Sequence, residues 1–214
     1  MNIFEGQVAL FLAPHTDDVE LGCGATLARC VAECASVEVA VFSSAVQSLP
    51  ERSQPDRLKN EFVNSMKIFG ITEKRLHVYD YEVRKFNYSR QDILENLITL
   101  RREINPTLVF TVSGNDVHQD HQVIANESLR AFKGASILAY ELPWNIFEFS
   151  PRVCITVSEQ NLLTKLEALS EYKSQIEKKR DYFDREFIRS LARVRGIQAA
   201  SDFAEAFELV TLKV

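Results

Sequence analysis

The chain has 214 residues, of which 46% are hydrophobic, 26% charged and 10% aromatic, and its formal net charge is −5. That length suits one domain, here taken as residues 1–214, with a core that needs no staples. The mild acidity argues against a nucleic-acid partner held through phosphates, and the wealth of apolar residues excludes a disordered chain.

In chain order, Gln7–Ala13 reads as an apolar strand stopped by Pro14, and a helix follows from Val19 to Cys34. Val37–Ser43 reads as a second strand, Ser53–Gly70 as an amphipathic helix with Gly70 as its stop, and Leu76–Tyr79 as a short strand. Gln91–Ile104 is a further helix ended before Pro106, and Thr107–Val112 a clear strand. A polar turn then leads into a helix over Gln119–Phe132. Ile137–Tyr140 and Val153–Val157 read as strands, residues 159–195 as two helices, and Phe207–Lys213 as a closing strand. Strands alternating with helices predict a mostly parallel α/β fold, a three-layer α/β/α sandwich. No run nears the ~18 apolar residues of a membrane span, and the stretch from Met1 to Val8 lacks the features of a signal peptide. A cytoplasmic protein without a membrane partner is expected.

Cys23, Cys30, Cys34 and Cys154 show no paired metal or redox spacing, and Cys30 and Cys34, on one helix face, read as small buried groups. Gly22-Cys23-Gly24 is not a dinucleotide fingerprint, because the place of the third glycine holds Leu27. The run Glu177-Lys178-Lys179-Arg180-Asp181 reads as a solvated helix face, and His77 as a core or edge histidine.

Three of the four histidines sit just after strands: His15 in Pro14-His15-Thr16-Asp17-Asp18, and His118 and His121 in His118-Gln119-Asp120-His121. In open α/β sheets ligands bind in that crevice, outside the carboxyl ends of the strands. His15, Asp18 and His121 make a two-histidine, one-carboxylate set of the kind that holds a catalytic Zn²⁺ with a position left for water. Asp17, and His118 with Asp120, remain beside it for proton transfer and for the developing oxyanion. An Asp-Asp pair at a helix start is also a common N-cap, which is the bland alternative. Fe²⁺, Co²⁺ or Mn²⁺ suit the same donors. Trp144, after a strand end, reads as a stacking surface for a sugar ring at the pocket mouth, and the apolar stretch Trp144–Phe149 as a contact for a second copy.

The segment Ala13-Pro14-His15-Thr16-Asp17-Asp18-Val19-Glu20-Leu21-Gly22, together with His118-Gln119-Asp120-His121, resembles the two signatures of the LmbE-like, or PIG-L, zinc-dependent de-N-acetylases. Arg57-x-x-x-Glu61 with Phe69-Gly70, Lys165-x-x-Ala168 with Ser174-Gln175, and Arg195-Gly196 with Ala204-Glu205-Ala206-Phe207 resemble further family elements, in the family's order from about residue 8 to 208. Thr16 stands where the family usually has proline, which leaves that turn without a fixed φ. The resemblance implies a Rossmann-like sheet, with His15, Asp18 and His121 as zinc ligands and Asp17 as the base for the attacking water. It also implies that His118, oriented by Asp120, stabilises the oxyanion or protonates the amine, and that Arg57 contacts substrate. The implied reaction is removal of an acetyl group from an N-acetylglucosamine-type sugar or conjugate. A hydrolase of another small amide or ester, or an inactive metal- or sugar-binding relative, are the alternatives.

Overall fold

The computed structural model describes residues 3–49 and 53–213. The expectation about a leader at the N-terminus involves Met1 and Asn2, which lie outside the described residues, as does Val214 at the end of the expected domain.

The sheet is built from strands β1 Val8–His15, β2 Ser36–Ser43, β3 Leu76–Val78, β4 Leu108–Val112, β5 Ser136–Tyr140, β6 Val153–Val157 and β7 Phe203–Thr211. Their order is β3-β2-β1-β4-β5-β7-β6, parallel from β3 through β5, with β7 antiparallel to both neighbours. Central β1 and β4 are covered on both faces, which is why they read as unbroken apolar runs rather than alternating ones. Phe11 of β1 stacks on Phe110 of β4, with ring centroids 4.3 Å apart. The helices are α1 Asp18–Glu33, α2 Arg57–Ile68, α3 Arg90–Ile104, α4 Gln119–Ala131, α5 Glu159–Ser170, α6 Lys173–Glu177 and α7 Arg185–Gln198. Helix α5 packs on α1 and α2, while α3 packs on α4, so the sheet is clothed on both faces. Among the described residues no helix is long and apolar enough to cross a membrane.

Three local departures from the expected elements have physical causes. The closing strand begins at Phe203, because residues 203–207 pair with β6 before 207–211 pair with β5. Its first half was masked by Glu205, a charge in an otherwise apolar stretch. The region after residue 159 holds three helices, the five-residue α6 lying between the two expected ones. Helix α1 breaks at Cys23, which has φ −148° and ψ 31°.

That break strips backbone groups of their helical partners, and two distant side chains supply them. Glu205 accepts from the amides of Ala25 and Thr26 at 3.1 and 2.6 Å. Lys165 donates to the Leu21 carbonyl at 2.8 Å and to Glu205 at 2.6 Å. Gly22, one residue before the break, admits the ring of Tyr140: a Cβ there would lie 2.3 Å from Cδ2. Tyr140 cannot swing away cheaply, because its hydroxyl donates to the Leu12 carbonyl at 2.9 Å. Gly22→Ala is therefore expected to cost about 1–3 kcal/mol of stability, read from urea unfolding. An unchanged midpoint and slope would show that the ring has room after all.

Candidate metal centre

Strand β1 runs toward the β3 side of the sheet through α1, and β4 runs toward the opposite side through α4. The loops that leave these adjacent strands diverge, opening a crevice at their carboxyl ends. His15 is the last residue of β1, and Asp18 opens α1. His118 is the N-cap of α4, and His121 lies in its first turn. Thr16, in the place of the usual proline, is buried, and the hydroxyl of Tyr172 donates to its carbonyl, so the turn is held from beneath.

Three donor atoms converge. His15 Nδ1 lies 3.1 Å from His121 Nε2, and Asp18 Oδ2 lies 3.3 Å from each of them. Four tetrahedral donors at metal bonds of about 2.0–2.1 Å sit roughly 3.3 Å apart, so this triangle has the edge lengths of a zinc site. The ligand nitrogens of His15, His118 and His121 all lie within 4.8 Å of one another, which puts His118 beside the triangle.

Carboxylates behind the triangle orient it. Asp116 Oδ2 accepts from His121 Nδ1 at 2.7 Å, and its Oδ1 accepts from the His118 amide at 2.8 Å. The Asp120 side chain meets His15 rather than His118: its Oδ2 lies 3.0 Å from His15 Nε2, and the amides of Arg84 and Phe86 hold the same carboxylate at 2.6 and 3.3 Å, while His118 is met by the Asp120 backbone amide. His15 and His121 thus each have a carboxylate on the nitrogen that points away from the triangle, the arrangement that fixes imidazole orientation at metal sites. Three carboxylates demand positive charge here. Burial opposes a proton on His121, but Asp18 and Asp116 push it up to about 10. Burial likewise opposes charge on Asp18, yet the facing histidines hold its carboxyl well below the usual range. A divalent cation supplies the same positive charge, and the donor set fits one. Asp116→Ala should weaken metal binding about 10- to 100-fold, measured by competition with a chromogenic chelator; an unchanged affinity would relegate Asp116 to packing.

The bland reading of the aspartate pair does not hold. Asp17, at the N-cap of α1, makes no side-chain capping bond, and its carboxylate accepts from its own backbone amide. Burial, and then the charge of Asp18, push it up to about 6. His118 differs from the other two histidines: its Nδ1 accepts from the Asp120 amide at 3.2 Å, which leaves the proton on Nε2. Burial and the charges of His121 and His15 lower it to about 4, so at neutral pH it is an uncharged donor.

A cavity of about 350 Å³ opens on these groups, lined by His15, Asp17, Asp18, His118 and His121 and by Trp144, Asn145, Gln175 and Tyr182. That volume lies in the range of small-molecule sites. Trp144 stacks on Tyr182 with centroids 4.3 Å apart and planes 13° from parallel, forming a flat aromatic wall. Arg57 is not part of the lining. Its guanidinium meets Glu61 at 3.2 Å and Glu177 at 2.7 Å, tying α2 to α6. Within the stretch 144–149, Trp144 lines the cavity, Ile146 is buried, and Phe147 is the one exposed apolar residue, at 86%. His77, on edge strand β3, meets Glu38 at 3.1 Å. Asp116 and Tyr182 escaped sequence reading. An acid two residues ahead of a histidine motif was the available signal for Asp116; Tyr182 had none.

The chain matches the family model described as GlcNAc-PI de-N-acetylase over residues 10–132, which takes in both histidine clusters. It belongs to that family. An uncharacterized deacetylase of Escherichia coli strain K12, YaiS, is 31% identical in an alignment covering 77% of this chain and 90% of YaiS. Among solved structures, the N,N'-diacetylchitobiose deacetylase of Pyrococcus horikoshii superposes with a TM-score of 0.74 at 18% identity, covering 94% of this chain and 83% of that one. GalB, a 4-carboxy-2-hydroxymuconate hydratase of Pseudomonas putida KT2440, superposes with a TM-score of 0.76 at 18% identity, covering 96% and 97%. At such identities the structural likeness establishes the fold that the deacetylase family shares.

Proposed function

We propose that this protein is a metal-dependent de-N-acetylase that acts on an N-acetylglucosamine-type amino sugar or conjugate and yields acetate and a free amine. The donor triangle of His15, Asp18 and His121 beside the carboxylate of Asp17, which lines the same cavity, carries this reading. A divalent cation held by those three donors, Zn²⁺ first and Fe²⁺, Co²⁺ or Mn²⁺ by the same chemistry, supplies Lewis acidity toward the acyl oxygen and the attacking water.

The chain's own groups move the protons. Asp17 accepts one from the water at a carboxylate oxygen. With its carboxyl pushed up to about 6 by burial, it is acidic enough to return that proton to the departing nitrogen, so no amide anion has to leave. His118 presents its Nε2 proton as a neutral donor to the acyl oxygen, which favours oxyanion stabilisation over protonation of the amine. Asp116 and Asp120 keep His121 and His15 in the ligating orientation. The wall of Trp144 and Tyr182 suits the C–H face of a sugar ring. On this reading residues 1–214 act as a single catalytic domain, and a reducing, cytoplasmic setting suits the four free cysteines.

The likeness to a hydratase favours a second reading, a metal-dependent reaction on another small amide, ester or enol. Acetate release from a panel of N-acetylglucosamine derivatives separates the two. Release that stops on chelation and returns with added Zn²⁺ is expected. Metal-loaded protein that frees no acetate from any member of the panel sinks the deacetylase reading.

A further inference from the structure

This inference rests on the deacetylase reading and narrows its substrate. The run from Glu177 to Asp181 is largely exposed, as its composition suggests, but helix α6 ends at Glu177 and the rest of the run is a turn. Glu177 binds Arg57, and Lys178 donates to the Ser48 carbonyl. Lys179 then takes the left-handed φ of 53°, and the turn brings Arg180 into the lining of the cavity that holds the metal centre. Arg84 lines the same cavity from the loop ahead of α3. It too is left-handed, with φ 69°, and its amide is bound by Asp120, the carboxylate behind His15. Non-glycine residues in this conformation are uncommon and gather at functional sites. Of the five among the described residues, Ala45 and Arg84 line the cavity and Lys179 adjoins it.

Among the described residues neither Arg84 nor Arg180 makes an ion pair or a side-chain hydrogen bond. Of the carboxylates that line the cavity, Asp18 is engaged by His15 and His121, and Asp17 pairs with neither arginine. The cavity thus carries two free guanidinium forks, groups shaped to take a carboxylate or phosphate through paired hydrogen bonds. We propose that Arg84 and Arg180 bind an anionic substituent of the acetamido substrate, so that the protein prefers an acidic conjugate to a neutral sugar.

The test compares N-acetylglucosamine 1-phosphate and a carboxymethyl N-acetylglucosaminide with the neutral methyl N-acetylglucosaminide. Each is followed by kcat/KM for acetate release and by equilibrium binding to metal-loaded protein. At least one acidic ligand is expected to exceed the neutral one by about tenfold or more, the scale of one charge-assisted hydrogen bond, and the gap should narrow as salt is raised. Arg84→Gln and Arg180→Gln should each lower the acidic-to-neutral ratio, and the double variant should bring it near one. The two arms show whether carboxylate or phosphate is preferred. Equal binding of all three ligands, binding of none, or a ratio the double variant leaves intact overturns the proposal. A binding preference that persists without any acetate release supports the anion site and defeats the deacetylase reading instead.

Discussion

Asp17→Asn is expected to lower kcat for acetate release by about 10²- to 10⁴-fold, the usual cost of losing a general base, while metal content and stability stay at wild-type levels. The substitution keeps the shape of the side chain and removes only its capacity to take a proton. Because the Asp17 carboxylate makes no capping bond to the helix, its loss should leave α1 undisturbed. It also relieves the repulsion from Asp18 that contributes to its raised pKa. Three measurements distinguish the outcomes: turnover, zinc per chain by elemental analysis, and the unfolding midpoint. Retained turnover at full metal occupancy would remove Asp17 from the mechanism. Lost turnover with lost metal would make it a ligand or a structural residue rather than a base.

Glu205→Ala should destabilise the fold by about 3–5 kcal/mol, the range seen when one partner of a buried ion pair is removed. Glu205 and Lys165 are each only 5% exposed at the side chain, and they meet at 2.6 Å. Deleting the carboxylate strands the ammonium with the Leu21 carbonyl as its remaining partner and leaves the amides of Ala25 and Thr26 unsatisfied at the break in α1. Chemical denaturation reads the loss directly. Glu205→Gln, whose single carbonyl oxygen still accepts from one of the two amides, combined with Lys165→Met, which removes the orphaned charge, should recover part of it. A loss below about 1 kcal/mol in Glu205→Ala would mean that water or relaxation of α1 replaces the pair, and the account of the helix break would fail with it.

The two predictions concern opposite ends of one short segment. Asp17 and Asp18 face the cavity at the start of α1, and Glu205 with Lys165 holds the same helix two turns further on. A helix that breaks within its second turn keeps its first turn short and lets the aspartates stand at the end of β1. The family signature read in the sequence therefore joins catalytic candidates to a backbone device, and the glycine beside the break is there for Tyr140.

The order of elements, the largely parallel sheet and the position of the site at its carboxyl edge follow from the sequence alone. Apolar runs of strand length and apolar spacing of helical period are local properties, and they are decided within ten or fifteen residues. The clustering of histidines and aspartates after β1 and β4 is also local, and the topology of α/β sheets converts it into a meeting point. Partner choice was another matter. Asp120 lies two residues from His118 yet serves His15, which is 105 positions away, and Arg57 is drawn to Glu177 across 120 positions rather than to the cavity. Nothing in the sequence near Glu205 points to its partners, a lysine from α5 and a broken helix from the other end of the chain. Which of two nearby groups a side chain contacts depends on differences of a few ångströms set by the whole packing, and only the folded chain settles them.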